Sequence, residues 1–157
     1  MRTAVVITAS NRASRGENAD LSGESLAKGL TALGYEVSGP HVVADSIDSI
    51  SEQLTVALAN KTRLIVTTGG TGVSPTDVTP EATAPFIEKV IPGFSEALRA
   101  HSREKVPTSD LTRGVVGIHG TSLIINLPGS QGAIKDGLVI IERLAGHILD
   151  QIDGKDH

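Results

Sequence analysis

At 157 residues the chain has the length of one domain, enough to bury about two thirds of the surface its unfolded form exposes, so no second domain is required. Its three aromatic residues, Tyr35, Phe86 and Phe94, and its formal charge of −4 exclude the stacking platforms and basic faces of nucleic-acid binders. The absence of cysteine excludes disulfides, thiolate metal sites and a cysteine nucleophile, and no stretch approaches the ~20 apolar residues of a membrane span, so a cytoplasmic protein is expected.

Residues 3–10 (TAVVITAS) form a short β-branched run. It predicts a parallel strand covered on both faces, not a secretion signal, since only one basic residue precedes it. A polar loop follows. From Ser22 onward Leu26, Leu30 and Leu33 recur at helical spacing until Gly34 supplies a left-handed stop. A second strand is predicted over residues 35–43, where Gly39-Pro40 demotes it to an edge or a bulged position. A second helix carries Ile47, Ile50, Leu54 and Leu58 on one face. Residues 63–68 read as a third strand, fully buried, that runs straight into GGTGVSPTDVTPEAT. The helix after that loop is expected to start at Pro80, with Thr79 capping its free amides and Glu81 favouring its positive end. Pro92-Gly93 is expected to break it, and Phe94, Ala97, Leu98 and His101 predict another. GVVGIHGTSLIINLPGS reads as two strands joined through His119-Gly120-Thr121. The last helix carries Ile134, Leu138, Ile141, Ala145, Ile148 and Ile152 on one stripe. This order predicts an α/β fold: a single three-layer α/β/α domain, its sheet mostly parallel and doubly wound, with a short antiparallel hairpin near residues 114–127.

In such sheets ligands bind beyond the carboxyl ends of the strands, where strand order reverses. Four polar or glycine-rich segments are expected there: residues 10–23, 44–46, 69–79 and 126–130. Residues 68–72 (TGGTG) offer backbone amides without Cβ obstruction, as phosphate-cradling loops do. No Gly-Lys-Ser/Thr follows, and Pro75 stands where a dinucleotide fingerprint needs its third glycine. A plain tight turn remains the alternative. Asp77 lies two residues outside the expected cap, so either a ligand or an Asx-turn accounts for it. Asp45, followed by Ser46, either binds a ligand or caps the second helix. Two carboxylates beside phosphate would repel it by roughly 4 kcal/mol per charge pair at ~4 Å and an effective dielectric near 20. A divalent cation resolves this, and hard oxygen ligands point to Mg²⁺. Arg12 and Arg15 either add positive charge or are solvated. Asp20-Leu21-Ser22-Gly23 either joins the site or caps the first helix, and Ser130 either opens an anion site or is an N-cap. The histidines His41, His101, His119, His147 and His157 show no ligand spacing and receive no metal role, and residues 99–105 (RAHSREK) are expected to be a solvated helix face.

SNR at Ser10, DLSG at Asp20, TTGGTG at Thr67, DVTPEAT at Asp77 and NLPGS at Asn126, in this order, resemble the MogA/MoaB/gephyrin G-domain family of molybdenum cofactor biosynthesis. The resemblance makes residues 1–157 one molybdopterin-binding domain. It implies adenylylation of molybdopterin by Mg-ATP, or a non-catalytic molybdopterin carrier of the MoaB type. It places Asp77 and Asp45 as catalytic, Mg²⁺-holding residues. Ser10, Asp20, Ser22, Gly69, Gly70, Thr71, Gly72, Asn126, Pro128, Gly129 and Ser130 become binding residues for the substrates ATP and molybdopterin. A homotrimer without nucleic-acid or membrane partners is implied as well, with transient contact to a separate molybdate-insertion enzyme.

Overall fold

Period-two burial of aliphatic residues on both sides of a strand calls for a layer of helices on each face. In the computed structural model, which describes residues 1–155, that is the arrangement found. Strands β1 (Thr3–Ala9), β2 (Glu36–Val43), β3 (Leu64–Thr68), β4 (Lys89–Val90), β5 (Val116–His119) and β6 (Ser122–Leu127) form one sheet in the order β2-β1-β3-β6-β5-β4. Pairs β1–β2, β1–β3 and β3–β6 are parallel, whereas β5–β6 and β4–β5 are antiparallel. The helices are α1 (Asn11–Ser14), α2 (Leu21–Ala32), α3 (Ile47–Ala59), α4 (Thr79–Thr83), α5 (Pro92–Arg103) and α6 (Gln131–Ile152). Leu64, Val66, Leu123 and Ile125 pack with α2, α5 and α6 on one face, while Ile65 and Ile124 pack with Ile50 and Leu54 of α3 on the other.

The expected α/β fold and its hairpin are therefore present. β2 lies at the sheet edge, and two residues, Gly39 and Pro40, stand where β1 has only Val6, which shifts the register. Three details differ from expectation. Pro92 opens α5, at the position where a missing N–H is harmless, instead of only breaking the helix before it; that helix is five residues long and ends in a 3₁₀ turn, Ala84–Phe86. On α3 the buried residues are Ile50, Leu54 and Ala57, while Ile47 in the first turn is 48% exposed. On α6 the stripe is rotated: Ile134, Gly137, Ile140, Ile141, Ala145 and Leu149 are buried, and Leu138, Ile148 and Ile152 lie at its flank. Gly137 sets this rotation. A Cβ there would stand 2.7 Å from a Leu127 methyl, so the helix meets β6 along its glycine side, and Leu138 turns against Gly29 of α2. Among the described residues no helix is long and apolar enough to cross a membrane.

Candidate functional site

Strands β1, β3 and β6 end side by side, and the chain turns sharply after β3. The Gly69 amide donates to the Leu127 carbonyl at 3.0 Å. Thr79 is fully buried and fastens the turn from below, its hydroxyl donating to the Gly69 carbonyl at 2.9 Å and its amide to the Gly70 carbonyl at 3.1 Å. The expected capping role of Thr79 is thus corrected: Val78 is the N-cap of α4, no side chain caps it, and the Thr79 hydroxyl serves the glycine turn. With both carbonyls occupied inward, the amides of Gly70, Thr71 and Gly72 meet no acceptor among the described residues. Gly70 has φ +68°, and a Cβ on it would meet Thr79 Oγ1 at 2.4 Å and Asp45 Oδ1 at 3.2 Å.

Two carboxylates flank this turn. Asp45 is locked to Asn11 by a reciprocal pair, its Oδ2 accepting from the Asn11 amide at 3.0 Å and its own amide donating to Asn11 Oδ1 at 2.9 Å. Ser46, not Asp45, caps α3. Burial pushes the Asp45 carboxyl above the ordinary aspartate range; the Asn11 hydrogen bond opposes this, and the negative charge of Asp77 adds to it. Asp77 closes its own turn, Oδ2 accepting from the Ser74 amide at 3.0 Å while its amide donates to the Ser74 carbonyl, also at 3.0 Å. A Cβ on Gly72 would sit 2.7 Å from that same Oδ2. Asp45 stands against Gly70 and Asp77 against Gly72, so the loops bring together two carboxylates whose strands are separated by β1.

Two clefts meet at this turn. The larger, about 470 Å³, is lined by residues 69–73, Asp77, the Leu98–Arg99–Ser102 side of α5 and the opening of α6. The smaller, about 370 Å³, is lined by Ser10, Asp20, Ser22, Thr68 and Gln131 among others. Gly69 and Gly129 line both. A model of a probable molybdopterin-binding domain matches residues 5–145. The chain belongs to the molybdopterin-binding domain family of molybdenum cofactor biosynthesis.

Three similar proteins match it over 86% or more of their own lengths. The molybdopterin adenylyltransferase of Helicobacter pylori is 39% identical over 153 residues, 95% of this chain and 86% of its own. The solved Mog protein of molybdopterin biosynthesis from Mycobacterium ulcerans is 44% identical with a TM-score of 0.91, covering 97% of this chain and 99% of its own. The tungsten cofactor synthesizing protein MoaB of Pyrococcus furiosus is 34% identical with a TM-score of 0.90, covering 97% of each chain.

In this member of the family several expected site residues also serve as caps. Ser10 caps α1, Asp20 caps α2 while accepting from the Thr8 hydroxyl at 2.8 Å, and Ser130 caps α6. Ser22 donates to the Gly129 carbonyl at 2.7 Å, joining α2 to the segment Pro128-Gly129-Ser130. Thr71 accepts from the Thr112 hydroxyl at 3.0 Å, which leaves its own proton to donate. Asn126, expected as a binding residue, lines neither cleft and braces the strands beneath them. It is 2% exposed, donates to Thr67 and Thr83 at 2.9 and 3.1 Å, and accepts from the Val115 amide at 3.1 Å. Asn126→Ala is expected to lower stability by about 2 kcal/mol in denaturant unfolding, because it takes a partner from the buried Thr67 and Thr83 hydroxyls and from the part-buried Val115 amide. Arg15 pairs with the exposed Glu17, and Arg12 lines neither cleft. Among the described residues no cluster of three or more His, Cys, Asp or Glu side chains could hold a metal ion; His157 lies outside the described residues.

Sequence reasoning missed two features. Arg113 brackets the glycine turn: its amide donates to the Thr71 carbonyl, Nε to the Gly72 carbonyl and Nη2 to the Asp77 carbonyl, at 2.8, 2.8 and 3.0 Å, and its fork grips Glu81. No local pattern marks it, since its partners lie more than thirty residues away. The run 99–105 is the second. Ala100, Arg103, Glu104 and Lys105 are exposed as expected, but the run also places Arg99, Ser102 and Lys105 on the larger cleft beside Asp136 of α6. Asp136 accepts from Ser102 at 2.8 Å and from Lys105 at 3.0 Å. Its burial raises the carboxyl pKa, but those hydrogen bonds and the neighbouring positive charges outweigh burial and hold it below the usual range. A depressed folded-state pKa stabilises the fold above the unfolded value, and that contribution disappears as pH falls through the folded one. Asp136→Asn is accordingly expected to cost about 1–2 kcal/mol at neutral pH and progressively less in acid, measured by urea unfolding at a series of pH values.

Proposed function

We propose that the chain adenylylates molybdopterin, using Mg-ATP and releasing pyrophosphate. The observation that carries this reading is the turn at residues 69–72: Gly69 lines both clefts, and the unpartnered amides of residues 70–72, on the larger cleft, lie between Asp77, which lines that cleft, and Asp45, which lines neither. Two clefts suit two substrates, and the junction is where their reacting groups would meet. An oxygen of the molybdopterin terminal phosphate attacks the α-phosphorus of ATP, a P–O bond forms, the bond to the β-phosphate oxygen breaks, and pyrophosphate departs. Such chemistry depends mainly on positioning and charge neutralisation.

The donor set fits Mg²⁺: two hard carboxylates, one already disfavoured in its charged form by burial and by the other's charge, with phosphate oxygens and water to complete the shell. Bound there, Mg²⁺ would neutralise triphosphate charge. The chain's own residues do the rest. The amides of residues 70–72 and the Thr71 hydroxyl donate to phosphate oxygens, Arg113 fixes that loop, and Asn11 fixes Asp45. The amino end of α6 adds partial positive charge. A homotrimer in the cytoplasm belongs to the same reading.

The test is pyrophosphate release from Mg-ATP with and without molybdopterin. Release that requires both substrates and Mg²⁺ supports the reading. Tight molybdopterin binding without release would replace it with a carrier function.

A further inference from the structure

We infer that Arg99 is a further substrate-binding residue of the larger cleft, contacting a phosphoryl oxyanion of one of the two substrates; this deepens the adenylylation reading and rests on it. Arg99 Nη1 is buried with no hydrogen-bond partner, and it is the one buried side-chain polar atom so placed among the described residues. A guanidinium has five donors and cannot shed its charge, so a buried N–H without an acceptor is a standing cost. The carboxylate that lines the same cleft, Asp136, does not relieve it. Its oxygens are held by Ser102 at 2.8 Å and Lys105 at 3.0 Å, with His101 at 3.5 Å. No acid among the described residues pairs with Arg99, as none pairs with Arg12 or Arg143, whereas Arg2, Arg15, Arg63, Arg103 and Arg113 each have one; Arg99 alone of the unpaired three lines the larger cleft.

The cleft that Arg99 lines is lined as well by residues 70–72, whose amides have no acceptor, and by the opening turn of α6. Those groups are all donors. Their complement is an anion with several acceptor oxygens, and the guanidinium fork matches a phosphoryl group by two parallel hydrogen bonds. Two groups present that chemistry, the triphosphate of ATP and the terminal phosphate monoester of molybdopterin. The steady-state arms of the test separate them.

The experiment compares Arg99→Gln and Arg99→Lys with the wild-type protein. Thermal melting establishes that each variant folds, and isothermal titration with inorganic pyrophosphate, with and without Mg²⁺, reads binding. Gln is expected to weaken pyrophosphate binding about tenfold or more, and Lys, which keeps the charge but loses the fork, by less. In steady state the KM for one substrate is expected to rise by a similar factor while the other KM stays unchanged. A rise for ATP assigns the triphosphate, and a rise for molybdopterin assigns the monoester. Wild-type pyrophosphate affinity in the Gln variant with both KM values unchanged would overturn the assignment, as would no pyrophosphate binding to the wild type at millimolar concentration. Equal losses in Gln and Lys accompanied by a lowered Tm would mark Arg99 as structural and overturn it too. A wild-type protein that binds pyrophosphate through Arg99 yet releases none from ATP and molybdopterin would leave the assignment standing and remove the adenylylation instead.

Discussion

Asp77→Asn is expected to slow pyrophosphate release from Mg-ATP and molybdopterin by about 10²–10³-fold while leaving the fold intact. The size follows from what the change removes and what it keeps. An asparagine still presents an oxygen to the Ser74 amide, so the turn that positions residue 77 survives. Only the negative charge beside Gly72 is lost, and with it half of the carboxylate pair that would hold Mg²⁺. A variant that melts with the wild type but needs far more Mg²⁺ to reach half-maximal rate matches this account. One that retains full release at low Mg²⁺ sinks it. Asp45→Asn is expected to act in the same direction, and the double variant to lose little more than the worse single one, because two residues that act as a unit are not additive.

The parts of this architecture that depend on neighbours in sequence were legible from it, and those that depend on neighbours in space were not. β1 and β3 announce themselves as β-branched runs, β6 as the second strand of a hairpin through His119-Gly120-Thr121, and the edge position of β2 follows from Gly39-Pro40, whose backbone cannot serve a central strand. β4 contributes only Lys89 and Val90, too few residues to show any period, and exists because β5 offers it an edge. The site divides in the same way. Asp77 stood out because local capping left it unexplained, Asp45 was singled out over a possible capping role only by the family resemblance, and the turn between them was visible as glycine. Thr79 was misjudged because Thr-Pro-Glu has the form of a cap and start, whereas the Gly69 carbonyl that takes its hydroxyl lies ten residues back. Arg99, Ser102 and Lys105 look like one side of a solvated helix until α6 brings Asp136 beside them. The polarity of that face was read correctly and its partner was not readable.

Gly69→Ala is the second change with a large expected effect, and it inverts the usual reason for placing glycine in a phosphate loop. Close approach to a ligand is one reason; the structure supplies another, internal to the protein. Gly69 has φ +95°, and a Cβ there would lie 2.3 Å from the carbonyl oxygen of Ala9. Neither side can give way easily. Ala9 is paired with Val43 at the end of β1, and the next amide, Ser10, donates to the Val43 carbonyl at 2.9 Å. Gly69 itself is held at both ends, by Leu127 through its amide and by Thr79 through its carbonyl. The positive φ costs an alanine about 1–2 kcal/mol and the steric conflict about 1–3 more. For a domain of this size, a loss of that order lowers Tm by on the order of 10 °C. Gly146→Ala provides the contrast. It lies inside α6 with nothing within 4 Å of an added Cβ, so the same chemical change should stabilise by up to about 1 kcal/mol through helix propensity. Thermal unfolding of the two variants side by side decides the matter: opposite shifts are expected, and a Gly69→Ala protein that melts with the wild type would show that the turn after β3 is loose. A loose turn could not hold Asp45 and Asp77 to opposite ends of three amides, so this stability measurement also bears on the chemistry.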